Sequence, residues 1–269
     1  MELGFVTSNP RNYQSSAARK LPTSLQRLLS QVNQQRYEEL YEENTTGTSL
    51  KDALQEILDG FRSLDQLRCH PRWIWMAVLL SLTAKPTVEA YLPNDNRPRI
   101  AIALMLMQLE DCHDATLIPK AIQEKIILPL REQIADSKIS NDLTGSVHKH
   151  LCPSKLVDVL FPSLSEGCQA LDESLDVLKN GLKALNQSDA QLALLSILED
   201  CFEGYAIFPG TSERHKLLTW WLYEIVPAVW DFHLPQSFMT IRGVQTVETI
   251  LESFIWEPSD TLFLLDLLH

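Results

Sequence analysis

Apolar residues recur along most of this chain at spacings of three and four, the signature of helices with one buried face. Leu25, Leu28, Leu29, Val32 and Leu40 form the first such stripe, with Thr23 and Gln26 as a capping box. Ser49 opens the next helix, whose face carries Leu50, Leu54, Ile57, Leu58 and Phe61. A third begins at Pro71 and contains the longest apolar run, Trp73 to Leu82, too short for the ~20 residues a bilayer span needs. Pro86, Pro93 and Pro98 punctuate the next stretch. Helix resumes near Arg99, then again from an Asp114 cap through Ile118, Ile122, Ile126, Ile127, Leu130 and Ile134, with a kink or break expected at Pro129.

Residues 137–152 are polar and without period, which reads as a loop or linker. Beyond Pro153 the pattern predicts helices near 165–185 (Ser163/Glu166 box), from 190 (Ser188/Gln191 box), near 212–232 with a break at Pro227, near 238–256, and around Leu262–Leu268. Alternating β-branched segments are nearly absent. The expectation is an all-α chain of about ten helices, in a compact bundle or a short irregular helical array. Its parts are a polar tail (1–22), an N-terminal helical half (23–136), the linker (137–152) and a C-terminal half (153–269), packed as one continuous unit. No 20–50-residue repeat supports a solenoid.

Composition narrows function by exclusion. Nine glycines in 269 residues, roughly half the usual ~7%, disfavour folds built on glycine-rich phosphate loops. There is no Walker A, G-x-G-x-x-G or G-x-S-x-G segment. The net charge of −12 disfavours nucleic acid as the main partner, since phosphates must be met by Lys and Arg. Residues 1–36 run the other way, with five basic residues against one acid; with Arg97 and Arg99 they leave a nucleic-acid-associated regulator as one reading. Five cysteines without a C-x-x-C, and no apolar leader, fit a reduced cytoplasmic protein.

Two acidic clusters stand out, Glu110-Asp111-Cys112-His113-Asp114 and Glu199-Asp200-Cys201-Phe202-Glu203. Carboxylates at i and i+3 share a helix face, and two facing pairs would suit Mg²⁺. The arrangement resembles the paired acidic motifs of the all-α class I isoprenoid synthases. That resemblance implies an Mg²⁺-dependent reaction on a prenyl diphosphate. Asp111, Asp114, Asp200 and Glu203 would hold metal, with Trp73, Trp75, Trp220, Trp221 and Trp230 as pocket candidates. Arg97, Arg99, Arg214 and Lys216 would assist the diphosphate. The chain departs from the family in having EDxxD and EDxxE for DDxxD. Glu110-x-x-His113 also matches half of a di-iron helix element, and His148, His150 and Cys152 offer three zinc-ligand types where a structural site takes four.

The bland account of the clusters is solvated helix ends, and of Trp220, Trp221 and Trp230 a core. The C-terminal segment has its own signal. Val244, Val247, Ile250, Leu251 and Phe254 define one face, Trp256, Leu262, Phe263 and Leu265 follow, and after Arg242 there are five acids and no Lys or Arg. Such a segment docks on the body, pairs with a second copy, or meets a basic protein partner. The leading expectation is a non-catalytic α-helical interaction or regulatory protein without a cofactor.

Overall fold

The computed structural model describes residues 21–42, 47–112, 117–136, 153–162, 167–207 and 213–268. Residues 1–20, 137–152, Asp114 and the Ser163/Glu166 box therefore lie outside the described residues. The chain is all-α, with eleven helices and one two-stranded sheet among the described residues.

The organising element is α3, Gln66–Tyr91, which is buried on every side from Pro71 to Val88. A helix apolar all round needs neighbours all round, and α3 has them. They are α2 (Leu50–Leu64), α4 (Arg97–Cys112), α7 (Gln169–Lys183), α8 (Ala190–Phe202), the end of α9 and strand β1. α1 (Thr23–Gln34) lies over α2, and α6 (Pro153–Leu160) over α7. The buried residues form one cluster running from Leu21 to Leu264. Among the described residues no helix is long and apolar enough to cross a membrane.

Helix starts depart from the sequence expectation in two places. α3 begins at Asp65, whose carboxylate caps Arg68 N–H at 3.2 Å and pairs with Arg72 at 3.0 Å. Pro71 and Pro86 both sit inside this helix, held there by the packing around them. Thr23 is the first residue of α1 rather than its cap, and Gln26 reaches back to the Leu21 carbonyl at 2.7 Å. Ser49 caps α2 as expected, accepting from Asp52 N–H at 3.1 Å.

Two prolines expected to break helices are accommodated by the same device. α5 runs as Lys120–Ile122, a π turn at Gln123–Ile127, then Leu128–Asp136; α9 runs as Arg214–Trp220, a π turn at Trp221–Ile225, then Val226–Trp230. Pro129 and Pro227 each follow their π turn closely. Widening to i→i+5 bonding relieves the missing N–H and the clash with the carbonyl four residues back.

The expected helix near 238–256 is mostly something else. Residues Ser237–Thr240 (β1) and Gly243–Thr246 (β2) form an antiparallel hairpin, with Thr240 opposite Gly243 and Ser237 opposite Thr246. Gly243 turns the corner at φ 91°, a conformation that favours glycine. Phe238 and Thr240 point inward, whereas Val244 faces solvent. Only Val247–Glu252 (α10) is helical, capped by Thr246, and α11 (Pro258–Leu268) closes the described chain.

Candidate interaction surface

Glu110, the one residue of the first acidic cluster with a described side chain, and the second cluster lie toward opposite ends of α3. Gly181 on α7 lies against both Ser81 and Met105, which puts the middle of α4 level with the middle of α3. α4 runs back along α3, so its end at Cys112 falls near Ile74. The end of α8 is fixed at the opposite end of α3, where Thr87 Oγ1 donates to the Ala206 carbonyl at 2.7 Å. At 1.5 Å per residue the two ends are separated by roughly 20 Å along α3. The Asp111 side chain and Asp114 lie outside the described residues. Glu110 pairs with Arg131 at 2.8 Å.

The second cluster faces α7 instead. Burial, reinforced by the carboxylates of Asp176, Glu173 and Glu199, pushes Asp200 up to about 8. Burial, then Glu199 and Glu39, also raises Glu203. Glu199 is held by Lys51 at 2.6 Å, and Glu173 accepts the Tyr205 N–H. Among the described residues, no group of three or more His, Cys, Asp and Glu side chains is arranged to hold a metal ion. His148, His150 and Cys152 lie outside the described residues.

Three of the four basic residues assigned to a diphosphate have other occupations. Arg97 binds Asp95, Lys216 binds Glu213 at 2.7 Å, and Arg99 holds Asp260 through two hydrogen bonds of 2.8 and 3.0 Å. Arg97 and Arg99 therefore form no open basic patch for phosphates.

Trp220 and Trp221 are buried in the core, and Trp230 is half-buried and packs against it. Trp220 is buried and donates to the Ser237 carbonyl at 3.0 Å. Trp221 meets Phe202 edge-on, with centroids 5.7 Å apart. Trp230 lies between Phe61, 5.5 Å away, and the Arg72 guanidinium, 3.7 Å above its ring. Trp73 and Trp75 are likewise buried.

The C-terminal segment divides in two. Trp256 is buried, its indole donating to the Ile126 carbonyl at 2.9 Å, and Leu264 is fully inside. Phe263 is half-buried, and the Leu265 side chain lies outside the described residues. Asp260 is also inside, so one of the five acids is spent on Arg99 rather than shown to solvent. Thr261 donates to Gln133 at 2.6 Å, fixing α11 against α5.

What remains outside is apolar and acidic together. Leu128 on α5, Ile255 after α10 and Leu262 on α11 are 49, 66 and 58% exposed. Ile255 and Leu128 flank the Trp256–Ile126 bond, and Leu262 follows Thr261, so all three sit on segments tied to one another. α5 and α10 also enclose a shallow depression of about 140 Å³, lined by Ala121, Glu124 and Lys125 of α5 and by Val247, Glu248, Leu251 and Glu252 at α10. Its floor is aliphatic; its rim carries three carboxylates against one ammonium.

The sequence flagged Leu262 and Val247 but not Leu128, Ile255, Glu124 or Lys125. The i,i+4 pairs Val247/Leu251 and Glu248/Glu252 were legible signals; the apposition of α5 was not. No family model matches the chain, and no curated protein or solved structure shows significant similarity to it.

Proposed function

We propose that this chain is a non-catalytic helical interaction protein that docks a basic, amphipathic segment of a partner protein on the face built by α5, α10 and α11. The observation that carries this reading is the exposure of Leu128, Ile255 and Leu262 on interlinked segments, together with an aliphatic depression between α5 and α10 rimmed by Glu124, Glu248 and Glu252. Large apolar side chains gathered at one surface mark interaction sites, and charge of one sign around them steers an oppositely charged partner and sets its orientation. A second copy of this chain is a poor occupant, because two acidic rims would repel. A cytosolic setting belongs to the same proposal, supported by free thiols at Cys69, Cys168 and Cys201.

The test compares the wild-type protein with a Glu248→Lys, Glu252→Lys, Leu262→Glu variant as baits for quantitative affinity capture. All three positions are at the surface, so the melting temperature should stay within a degree or two of wild type. A set of proteins with basic amphipathic segments, retained by the wild type, lost from the variant and released by added salt, is the expected result. Identical capture by the two baits overturns the proposal.

A further inference from the structure

Arg214 opens α9 and is only 1% exposed. Its Nη1 donates to the Phe202 carbonyl. Its Nε and Nη2, the two donors along one edge of the guanidinium, are buried and meet no acceptor among the described residues. The flat faces are flanked by aromatic rings, Tyr205 at 5.0 Å and Tyr41 at 5.3 Å from Cζ. A guanidinium stays charged at any relevant pH, and buried charged donors left unmatched are among the costlier arrangements in a protein. Three carboxylates lie around it, Glu39, Glu42 and Glu203; Glu39 Oε2 and Glu42 Oε2 are also buried without hydrogen-bond partners, and none of the three is hydrogen-bonded to the open edge. Glu42 pairs with Arg36 at 2.5 Å and His215 at 3.3 Å, and Glu39 Oε1 accepts the Leu50 N–H at 3.1 Å.

Tyr41 is unusual for a different reason. It holds φ 61°, ψ 35°, the left-handed region that an aromatic residue seldom adopts, and it is 64% exposed. It is therefore an outer wall able to move without disturbing the core. Arg99 shows within this same protein what the open edge of Arg214 is shaped for: its Nε and Nη2 grip the two oxygens of Asp260.

The geometry points to an oxyanion-binding site at Arg214. The Nε–Nη2 edge takes a carboxylate or phosphate group as a two-pronged ligand. Tyr205 supports the guanidinium from within, the Phe202 carbonyl fixes its plane, and Tyr41 swings to admit the ligand. Lysine, a single point charge, would not replace this fork.

The full-length protein, labelled with ¹⁵N, is titrated with inorganic phosphate and, in a separate arm, with acetate, at ionic strength held constant by chloride. The readout is the Nε–Hε resonance of Arg214, assigned by its disappearance in Arg214→Lys. A saturable shift with phosphate or acetate, absent with chloride, is expected, and the arm that saturates first identifies the ligand class. Arg214→Lys should weaken binding by about tenfold or more, followed by thermal shift with the same anion. A resonance that stays still in both arms means that water fills the edge, and one that follows chloride equally means general screening; either overturns the site. If Arg214→Lys does not fold, the resonance is assigned from its ring-current displacement in Tyr41→Ala, and the wild-type titration decides alone.

Discussion

Asp200 keeps a proton that an ordinary aspartate gives up, because it is largely buried and faces Asp176, Glu173 and Glu199. Its ordinary value is 3.8 and its folded value about 8. Between those limits the folded chain holds a proton that the unfolded chain releases, so this residue's contribution to stability falls as pH rises and is gone above pH 8. Asp200→Asn mimics the protonated form. Its melting temperature should vary less between about pH 4 and 8 than that of the wild type, and should exceed the wild-type value above pH 8. Equal pH profiles for the two proteins, followed by thermal melts, would show that Asp200 titrates normally. The sequence showed this acid as half of a metal-ligand pair; its placement against α7, beside Asp176 and Glu173, is visible only in the fold.

At the scale of elements, two junctions carry predictions. The first is the seat of α11, where Arg99 and Asp260 form a pair whose side chains are 11 and 1% exposed. Asp260→Ala leaves a guanidinium without its partner and should cost about 3 kcal/mol in chemical denaturation, whereas replacing the pair with Arg99→Met and Asp260→Leu should recover most of it. Both variants costing the same would mean that the ion pair matters only for its packing. The second junction is the exit of α8. A Cβ on Gly204 would come within 2.5 Å of both the Asp200 carbonyl and a Glu173 carboxylate oxygen. Backbone cannot yield as a side-chain tip can, so Gly204→Ala should destabilise by about 1–3 kcal/mol, read from the denaturation midpoint, despite alanine's better helix propensity.

The whole molecule is a long apolar helix with its neighbours wrapped around it, and its surface charge is unevenly used. Some carboxylates are matched inside the protein, Asp65 with Arg72, Asp95 with Arg97 and Asp260 with Arg99. At the rim of the α5–α10 depression Glu124 pairs with Lys120 at 3.2 Å, while Glu248 and Glu252 outnumber the single lysine in its lining, Lys125. Binding of a basic partner there should weaken steadily with salt as the rim is screened. The effect should appear mainly in the association rate rather than the dissociation rate, measurable by surface plasmon resonance. An affinity indifferent to salt would assign binding to the apolar residues alone.

Much of this was already present in the chain. The 3- and 4-residue spacing of Leu, Ile and Val determined the all-helical class, because burial of one face is a local property of each helix. Ser49 marked the start of α2 for the same reason: a cap acts within one turn. Where long-range packing outweighed local preference, the sequence misled. Pro71 and Pro86 read as a helix start and a stop, yet the neighbours of α3 hold one helix through both. The stripe from Val244 to Phe254 predicts a helix near 238–256, yet Phe238 and Thr240 had inward sites to fill as a strand. The site depended most on tertiary structure. Glu110–Asp114 and Glu199–Glu203 look equivalent along the chain, and only the antiparallel return of α4 along α3 sets Glu110 and the second cluster at opposite ends. The exposed trio Leu128, Ile255 and Leu262 is joined by hydrogen bonds between residues more than 100 positions apart, which no local pattern encodes.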